Sequence, residues 1–402
     1  MEREALDVKY GLPRKVSYCS KCVINNQKPN TSIEYSNTDG KREFIGFDSK
    51  GECAACNYNE LKKKIDWQKR EEKLKRLLNK YRKNDGSYDV VVPVSGGKDS
   101  AYTAHVLKYR YGMNPLTVTW SPHIYTKVGW ENLQNMIHIG GFDNILFTPN
   151  GKVHRLLTKL AFENLLHPFQ PFVFGQKNIG PKISINYNIP LVMYGESNVE
   201  YGDSVDKEDE EMSENYFSSK NSLEDVFLGG ISAAKLITDH KLNRKDLEPY
   251  LPVEPHKLGQ NKTKVHYLGH YLNWDPQECY YYAVENTGFK AAEERSEGTY
   301  SKYTEIDDKF IPLSLYCMHV KFGIGRTTYD AAQEIRNGKI TREEGVALVR
   351  KFEGEYPERY LKEILEYMGL TQHELDTIVD SFRSPHLWKK GNDAWKLRHP
   401  IR

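Results

Sequence analysis

Tyr88-Asp-Val-Val-Val-Pro-Val-Ser-Gly-Gly-Lys-Asp-Ser100 is the stretch that decides how this chain folds. Its apolar run, Val90 to Val94, predicts a buried parallel strand. The run breaks into Ser95-Gly96-Gly97-Lys98-Asp99-Ser100, after which Ala101 to Lys108 has helical composition. Strand, glycine turn and helix start together form a site for a polyanion. Glycines let the backbone come close, and N–H groups at the helix start face the ligand. Ser95 and Ser100 add hydroxyl donors, Lys98 a cation and Asp99 a magnesium ligand. The kinase-type phosphate loop does not fit: Asp99 stands where it needs Ser or Thr, and Val92 where it needs its first glycine.

Outward from this loop the chain alternates between strand and helix patterns. Leu116–Trp120, Asn144–Phe147 and Leu191–Tyr194 read as further strands, with helical patterns around 100–110, 130–139, 151–166 and 176–187. Such alternation predicts an α/β domain over 85–275, a parallel sheet covered by helices on both faces. Ligands bind at the C-terminal ends of such strands. The end of the second strand, Thr117 to Ser121, offers Thr119, Trp120 and backbone to seat an adenine, and a third strand end carries Tyr194-Gly195-Glu196-Ser-Asn-Val-Glu200. The acidic stretch 201–224 reads either as a lid that orders on nucleotide or as a solvated insertion. A further strand, Val265–Tyr271, precedes Trp274-Asp-Pro276. Residues 276–402 read as mainly helical, with Tyr360–Met368 and Glu374–Phe382 the last two helices.

Four of the six cysteines lie in the first sixty residues, as Cys19-x-x-Cys22 and Cys53-x-x-Cys56. In a reducing compartment two such knuckles predict one tetrahedral zinc, structural because its ligand set is closed. A redox dithiol fits less well, since the second pair lacks a strand–helix setting. Residues 1–60 thus read as a zinc-ribbon module, with a hairpin-like piece at Arg42–Phe47. A charged helix from Leu61 to Lys83 (Leu61, Ile65, Leu74, Leu77, Leu78 and Tyr81 forming its apolar stripe) links it to the sheet as a unit over 61–84.

With 402 residues, 28% of them charged and a net charge of +2, the chain has the profile of an ordinary cytoplasmic protein. The charged start, Met1 to Tyr10, is unlike a signal peptide, and no apolar run is long enough to span a bilayer. The near-neutral balance argues against a nucleic-acid partner. The 27 tyrosines suit sugar or nucleotide stacking, but they suit a composition bias equally well.

Ser-Gly-Gly-x-Asp-Ser, as it stands at Ser95 to Ser100, resembles the PP-loop of N-type ATP pyrophosphatases. Those enzymes cut ATP between the α and β phosphates and pass AMP to a substrate oxygen. Together with the cysteine knuckles, the charged helix and Gly195-Glu-Ser-Asn-Val-Glu200, the loop looks like that of the bacterial N-acetyl sugar amidotransferases of this superfamily. These act in lipopolysaccharide and nonulosonic-acid sugar pathways. The likeness covers nearly the whole chain, including Leu272-Asn-Trp-Asp-Pro276 and Lys321-Phe-Gly-Ile-Gly-Arg326.

The resemblance implies a HUP-like fold, ATP and Mg²⁺ as cofactors, and conversion of a sugar acetamido group to an acetamidino group. It implies ammonia from a separate glutaminase subunit paired with a cyclase-like barrel subunit; the chain shows no glutaminase nucleophile of its own. Asparagine synthetases carry Gly-Glu-Gly-Ser-Asp-Glu at the equivalent strand end. By that similarity Glu196 takes a proton from ammonium, while Asp99 and Glu200 hold Mg²⁺. Val199 replaces the aspartate, which weakens the metal reading, and Glu196 as a helix cap is the plainer alternative. Lys321 and Arg326 are candidates for closing over pyrophosphate, or else ordinary cations beside a turn. A tRNA-modifying PP-loop enzyme, a thiolase or a lysidine-type ligase, is the rival. A thiolase needs cysteines near its ATP site, and 87–277 has none; a lysidine-type ligase needs a basic surface.

Overall fold

A computed structural model describes residues 6–30, 43–195, 198–201, 217–218, 222–392 and 394–402. Glu196 and most of the acidic stretch lie outside the described residues.

Five parallel strands form the central sheet: β1 (Val90–Pro93), β2 (Pro115–Trp120), β3 (Asp143–Phe147), β4 (Leu191–Tyr194) and β5 (Lys264–Tyr267). Their order is β3-β2-β1-β4-β5, with Val90 facing both Pro115 and Leu191 across the ladders. The chain winds outward from β1 in both directions, so the C-terminal ends of β1 and β4 border the crevice where the order reverses. Val94 N–H still donates to the Val118 carbonyl (2.8 Å), one residue beyond the proline.

Alternation along the strands serves two cores. Val90 and Val92 of β1, with Leu191 and Met193 of β4, face α3 (Lys98–His105) through Ala101 and Ala104. Val91, Val118 and Val192 face the other way, onto Phe174 and Ile179 of α6 (Gln170–Asn186). Each fully buried aliphatic side chain contributes about 1.5–3 kcal/mol, so helices on both faces are what such two-sided apolar strands require. The remaining helices of this layer are α4 (Lys127–His138), capped by Thr126, and α5 (Gly151–Leu165), capped by Asn150.

A third core joins the two ends of the chain. Leu12, Ile24 and the four clustered cysteines pack with Phe310, Val320 and Leu375. Tyr10 donates its hydroxyl to the Phe382 carbonyl (3.0 Å).

The structure revises three sequence expectations. The single charged helix is two, α1 (Ala54–Lys62) and α2 (Trp67–Tyr81), because Asp66 accepts the Lys69 N–H and starts a new helix. Leu61, assigned to its apolar stripe, is 42% exposed, while Lys62 is buried. Val265–Tyr271 is a strand only to Tyr267 and then one helical turn, Leu268–Tyr271, closed by Leu272 N–H on the Leu268 carbonyl. The C-terminal region is helical, including α7 (Pro276–Thr287), α8 (Ile311–Phe322) and α9 (Arg326–Arg336). It also carries an unexpected antiparallel pair, Trp388–Lys390 with Trp395–Leu397.

Candidate active site

The loop after β1 is built as its sequence requires. Gly96 has φ +85°, and a Cβ there would sit 2.7 Å from the Leu133 backbone of α4. The two serines knit the loop: Gly97 N–H donates to Ser95 Oγ (3.2 Å), Ser95 N–H to Ser100 Oγ (3.3 Å), and Ser100 Oγ to the Gly97 carbonyl (3.1 Å). Gly97 is the N-cap of α3, so the N–H groups of Lys98, Asp99 and Ser100 have no acceptor within the helix. Lys98, 4% exposed, turns its ammonium onto Asp99 Oδ2 at 2.5 Å. Asp99 Oδ1 is buried with no hydrogen-bond partner. A cation at this point would satisfy it.

Lys98 and Asp99 open into a cleft whose far wall comes from Asp275 and from Arg326, Asp330 and Glu334 of the C-terminal region. Arg326 begins α9 and is held by Glu305 and by Asp330 Oδ1 (2.8 Å from Nε). Glu353 fixes that helix start, accepting the Thr328 N–H at 2.8 Å, while Gly325 leaves room for its side chain. Burial pushes the Glu353 carboxyl up to about 7, and the Glu334 carboxyl is raised chiefly by burial as well.

One acid of the site was missed by sequence reasoning. Residues 305–309 form a strap across the loop that follows β2: Thr126 N–H donates to the Asp307 carbonyl (3.0 Å) and Lys309 N–H to the Ile124 carbonyl (2.9 Å). Asp308 accepts both the backbone N–H and Nδ1–H of His123 at 2.7 Å. Asp307 thereby reaches the loop after β1, where the Ser95 hydroxyl faces its carboxyl. Burial first, and the Asp308 charge second, push that carboxyl up to about 7. The available signal was a pair of acids inside an apolar frame, Ile306 to Phe310.

At the end of β4, Gly195 is required because a Cβ would meet the Trp274 ring at 2.9 Å and Thr103 Oγ1 at 3.1 Å. Glu200, expected near magnesium, instead pairs with Lys62 at 2.7 Å. Lys321 is not at the cleft. It is 1% exposed in the third core, where its ammonium caps α5 by donating to the Leu165 carbonyl (2.7 Å). Arg326 alone of the two candidate cations lines the cleft with Lys98 and Asp99. Thr119 donates to Asn144 Oδ1 (3.1 Å). Trp120 is 2% exposed, stacked on Phe147 and pressed against Gly175, so its ring face is already covered.

The four N-terminal cysteines converge. Their sulfurs lie within 4.8 Å of one another, Cys19 to Cys56 at 3.9 Å and Cys22 to Cys53 at 3.7 Å, all buried. Four thiolates about 2.3 Å from one tetrahedral ion stand about 3.8 Å apart, so the set fits a single zinc. A cubane would hold its ligating sulfurs farther apart, with four irons between them. Cys53 and Cys22 N–H groups donate to Cys19 Sγ (3.3 and 3.5 Å), which favours the thiolate there.

Among the described residues no helix is long and apolar enough to cross a membrane. Over 99 residues the chain is 28% identical to an uncharacterized protein of Methanocaldococcus jannaschii, covering 25% of this chain and 35% of that protein's length. Among solved structures it is similar to the NH3-dependent NAD synthetase of Campylobacter jejuni (22% identity, TM-score 0.25, 32% of this chain and 56% of that one). It is also similar to the NMN synthetase of Francisella tularensis (14%, TM-score 0.25, 57% and 89%). A third likeness is to the tRNA thiolase NcsA of Methanococcus maripaludis with its 4Fe–4S cluster (14%, TM-score 0.29, 80% and 86%). Residues 297–402, which supply Arg326 and the Asp307 strap, match the family model described as "LPS biosynthesis protein WbpG-like, C-terminal domain".

Proposed function

We propose that this chain is an ATP-dependent, AMP-forming amidotransferase that converts a sugar acetamido group to an acetamidino group in lipopolysaccharide biosynthesis. The observation that carries the ATP reading is the loop Ser95–Ser100. It joins a strand that ends at the sheet's crevice to a helix whose first N–H groups, a lysine and an acid face one cleft. The lipopolysaccharide context rests on the match over 297–402.

The chemistry suits those groups. An amide oxygen attacks the α-phosphorus of ATP, pyrophosphate leaves, and loss of the amide proton gives an O-adenylyl imidate. Ammonia adds at the activated carbon, and AMP departs with the C–O electron pair. Charge builds on the phosphates first, where pre-placed N–H groups, Lys98 and Arg326 stabilise it. Mg²⁺ would be held by Asp99, whose free Oδ1 suits an oxygen-binding cation. Glu196, outside the described residues, is the proposed acceptor of the ammonium proton. Ammonia is proposed to come from a separate glutaminase with its barrel subunit.

The thiolase reading needs a cysteine at the cleft. Neither Cys279, buried in the core beneath α3, nor Cys317, buried in the third core, lines the cleft, and burial pushes the Cys317 thiol up, away from thiolate. The test is incubation with ATP, ammonium and a panel of acetamido nucleotide sugars. The expected result is AMP, pyrophosphate and a product with one oxygen exchanged for NH. ADP as product, or no nucleotide turnover with any of them, would overturn the proposal.

A further inference from the structure

Lys62 is the inverted residue of α1. The leucine before it is exposed and the two lysines after it point to solvent, yet Lys62 itself is 6% exposed. Lysines are seldom fully buried unless paired. This one donates to Glu200 Oε1 at 2.7 Å and to the Trp274 carbonyl at 2.9 Å. Both partners belong to the candidate site's frame. Glu200 lies in the short turn Asn198–Tyr201 that follows β4. The Trp274 ring packs against Gly195 and edge-on to Tyr102 of α3 (centroids 5.5 Å), and the next residue, Asp275, lines the cleft. A second link runs beside the first: Asn59 of α1 donates to the Arg336 carbonyl (2.8 Å), and Arg336 donates to the Glu200 carbonyl (3.3 Å). Arg336 ends the helix that Arg326 begins.

The other end of α1 is the cysteine cluster, since Cys53 is its N-cap and Cys56 lies in its first turn. At nine residues α1 is shorter than the roughly 12–15 that a helix needs to persist alone in water. Its order therefore depends on tertiary contacts: the sulfurs at its start, buried Ala55 and Tyr58 along its face, and the Lys62 ammonium at its end.

We propose that the four-cysteine module governs the cleft: an ion held by Cys19, Cys22, Cys53 and Cys56 fixes α1, and Lys62 passes that order to the 198–201 turn and the Trp274–Pro276 turn. Lys62 is a positioning residue, and removing the ion loosens the cleft wall without touching the loop after β1. The effect on ATP binding rests on the ATP reading above; the mechanical coupling does not.

Hydrogen exchange of the full chain tests the coupling without nucleotide. Wild type, Lys62→Met and Lys62→Arg are each compared with metal and after chelation, and ATP affinity is then measured on the same samples. Stripping wild type is expected to speed amide exchange in 198–201 and at Trp274 and Asp275 by about tenfold or more while 90–92 and 116–120 stay slow. Metal-loaded Lys62→Met should show the same local acceleration with one ion per chain still bound, and Lys62→Arg should recover most of the protection. Glu200→Gln breaks the same pair from its other side, should show the same local acceleration, and takes the place of Lys62→Met should that variant fail to fold. ATP affinity should fall about tenfold in Lys62→Met and no further when it is stripped. Unchanged exchange at 198–201 in stripped wild type, acceleration spread evenly over the chain, or wild-type behaviour of Lys62→Met and Glu200→Gln would each overturn the proposal. Local coupling in a protein that binds no ATP would leave the coupling standing and refute the ATP reading instead.

Discussion

Lys98 and Asp99, adjacent at the start of α3, form an ion pair of 2.5 Å that spends one carboxylate oxygen and leaves the other buried and unpartnered. Neutralising that acid should therefore damage chemistry more than structure. Asp99→Asn is expected to lower AMP and pyrophosphate release by about 100-fold or more, as losing a preorganised charge does. Cysteine-bound metal and melting temperature should stay near wild type. Parallel assays of pyrophosphate, metal content and thermal melting check this; near-normal turnover would show that Asp99 holds no metal.

Gly96 combines a left-handed φ with a backbone neighbour at 2.7 Å. The conformation costs an L residue about 1–2 kcal/mol, and the Leu133 backbone cannot swing away as a side chain could. Gly96→Ala should lower the melting temperature by several degrees and abolish nucleotide binding, readable by calorimetry. Equal ATP affinity in the variant would mean the loop does not carry the phosphates.

Arg326 is held in place by Glu305 and Asp330 before any ligand arrives. A planar guanidinium serves two acids and a phosphate at once, whereas lysine offers a point charge. Arg326→Lys should therefore weaken pyrophosphate inhibition about as much as Arg326→Ala does. Full rescue by lysine would reduce the residue to a simple positive charge.

The pH dependence of stability should carry the mark of Asp307. Its carboxyl ionises near 3.8 when unfolded but only near about 7 in the fold, pushed up by burial. A carboxyl raised in this way stabilises the folded chain fully below its unfolded value, and the contribution is lost as pH rises through the folded one. Glu353 works in the same direction. Asp307→Asn cannot ionise, so its melting temperature relative to wild type should climb from pH 4 to about pH 7 and then level off. A difference independent of pH would show that the carboxyl is not held neutral.

The sulfurs stand at the spacing of one tetrahedral ion. Gently purified protein is expected to hold one zinc per chain, and Cys53→Ser should lose it together with several degrees of thermal stability. Elemental analysis and melting curves decide; an iron content matching zinc or exceeding it would reverse the assignment.

Local patterns were legible wherever neighbouring residues carry the cause. Val90 to Val94 can only be a two-faced buried strand, glycines at 96 and 97 can only mark a tight turn, and two Cys-x-x-Cys knuckles aim at one point whatever surrounds them. Strand β4 fell where its apolar run lies, because a short buried strand has no room to slip. The break between α1 and α2 was hidden, since charged residues fill both a helix and its cap, and only Asp66 turning back to Lys69 separates them.

What the sequence alone determined, then, is each single strand, the tight loop after β1 and the two cysteine knuckles, each made by residues within a few positions of one another. The third core, the Asp307 strap and the placing of Lys62, Glu200, Lys321 and Arg326 were decided only by tertiary structure. Their partners lie 20 to more than 150 positions away. Whether a lysine ends in a cleft or under a helix depends on which distant carbonyl or carboxylate packing brings to it, and a linear pattern does not hold that information.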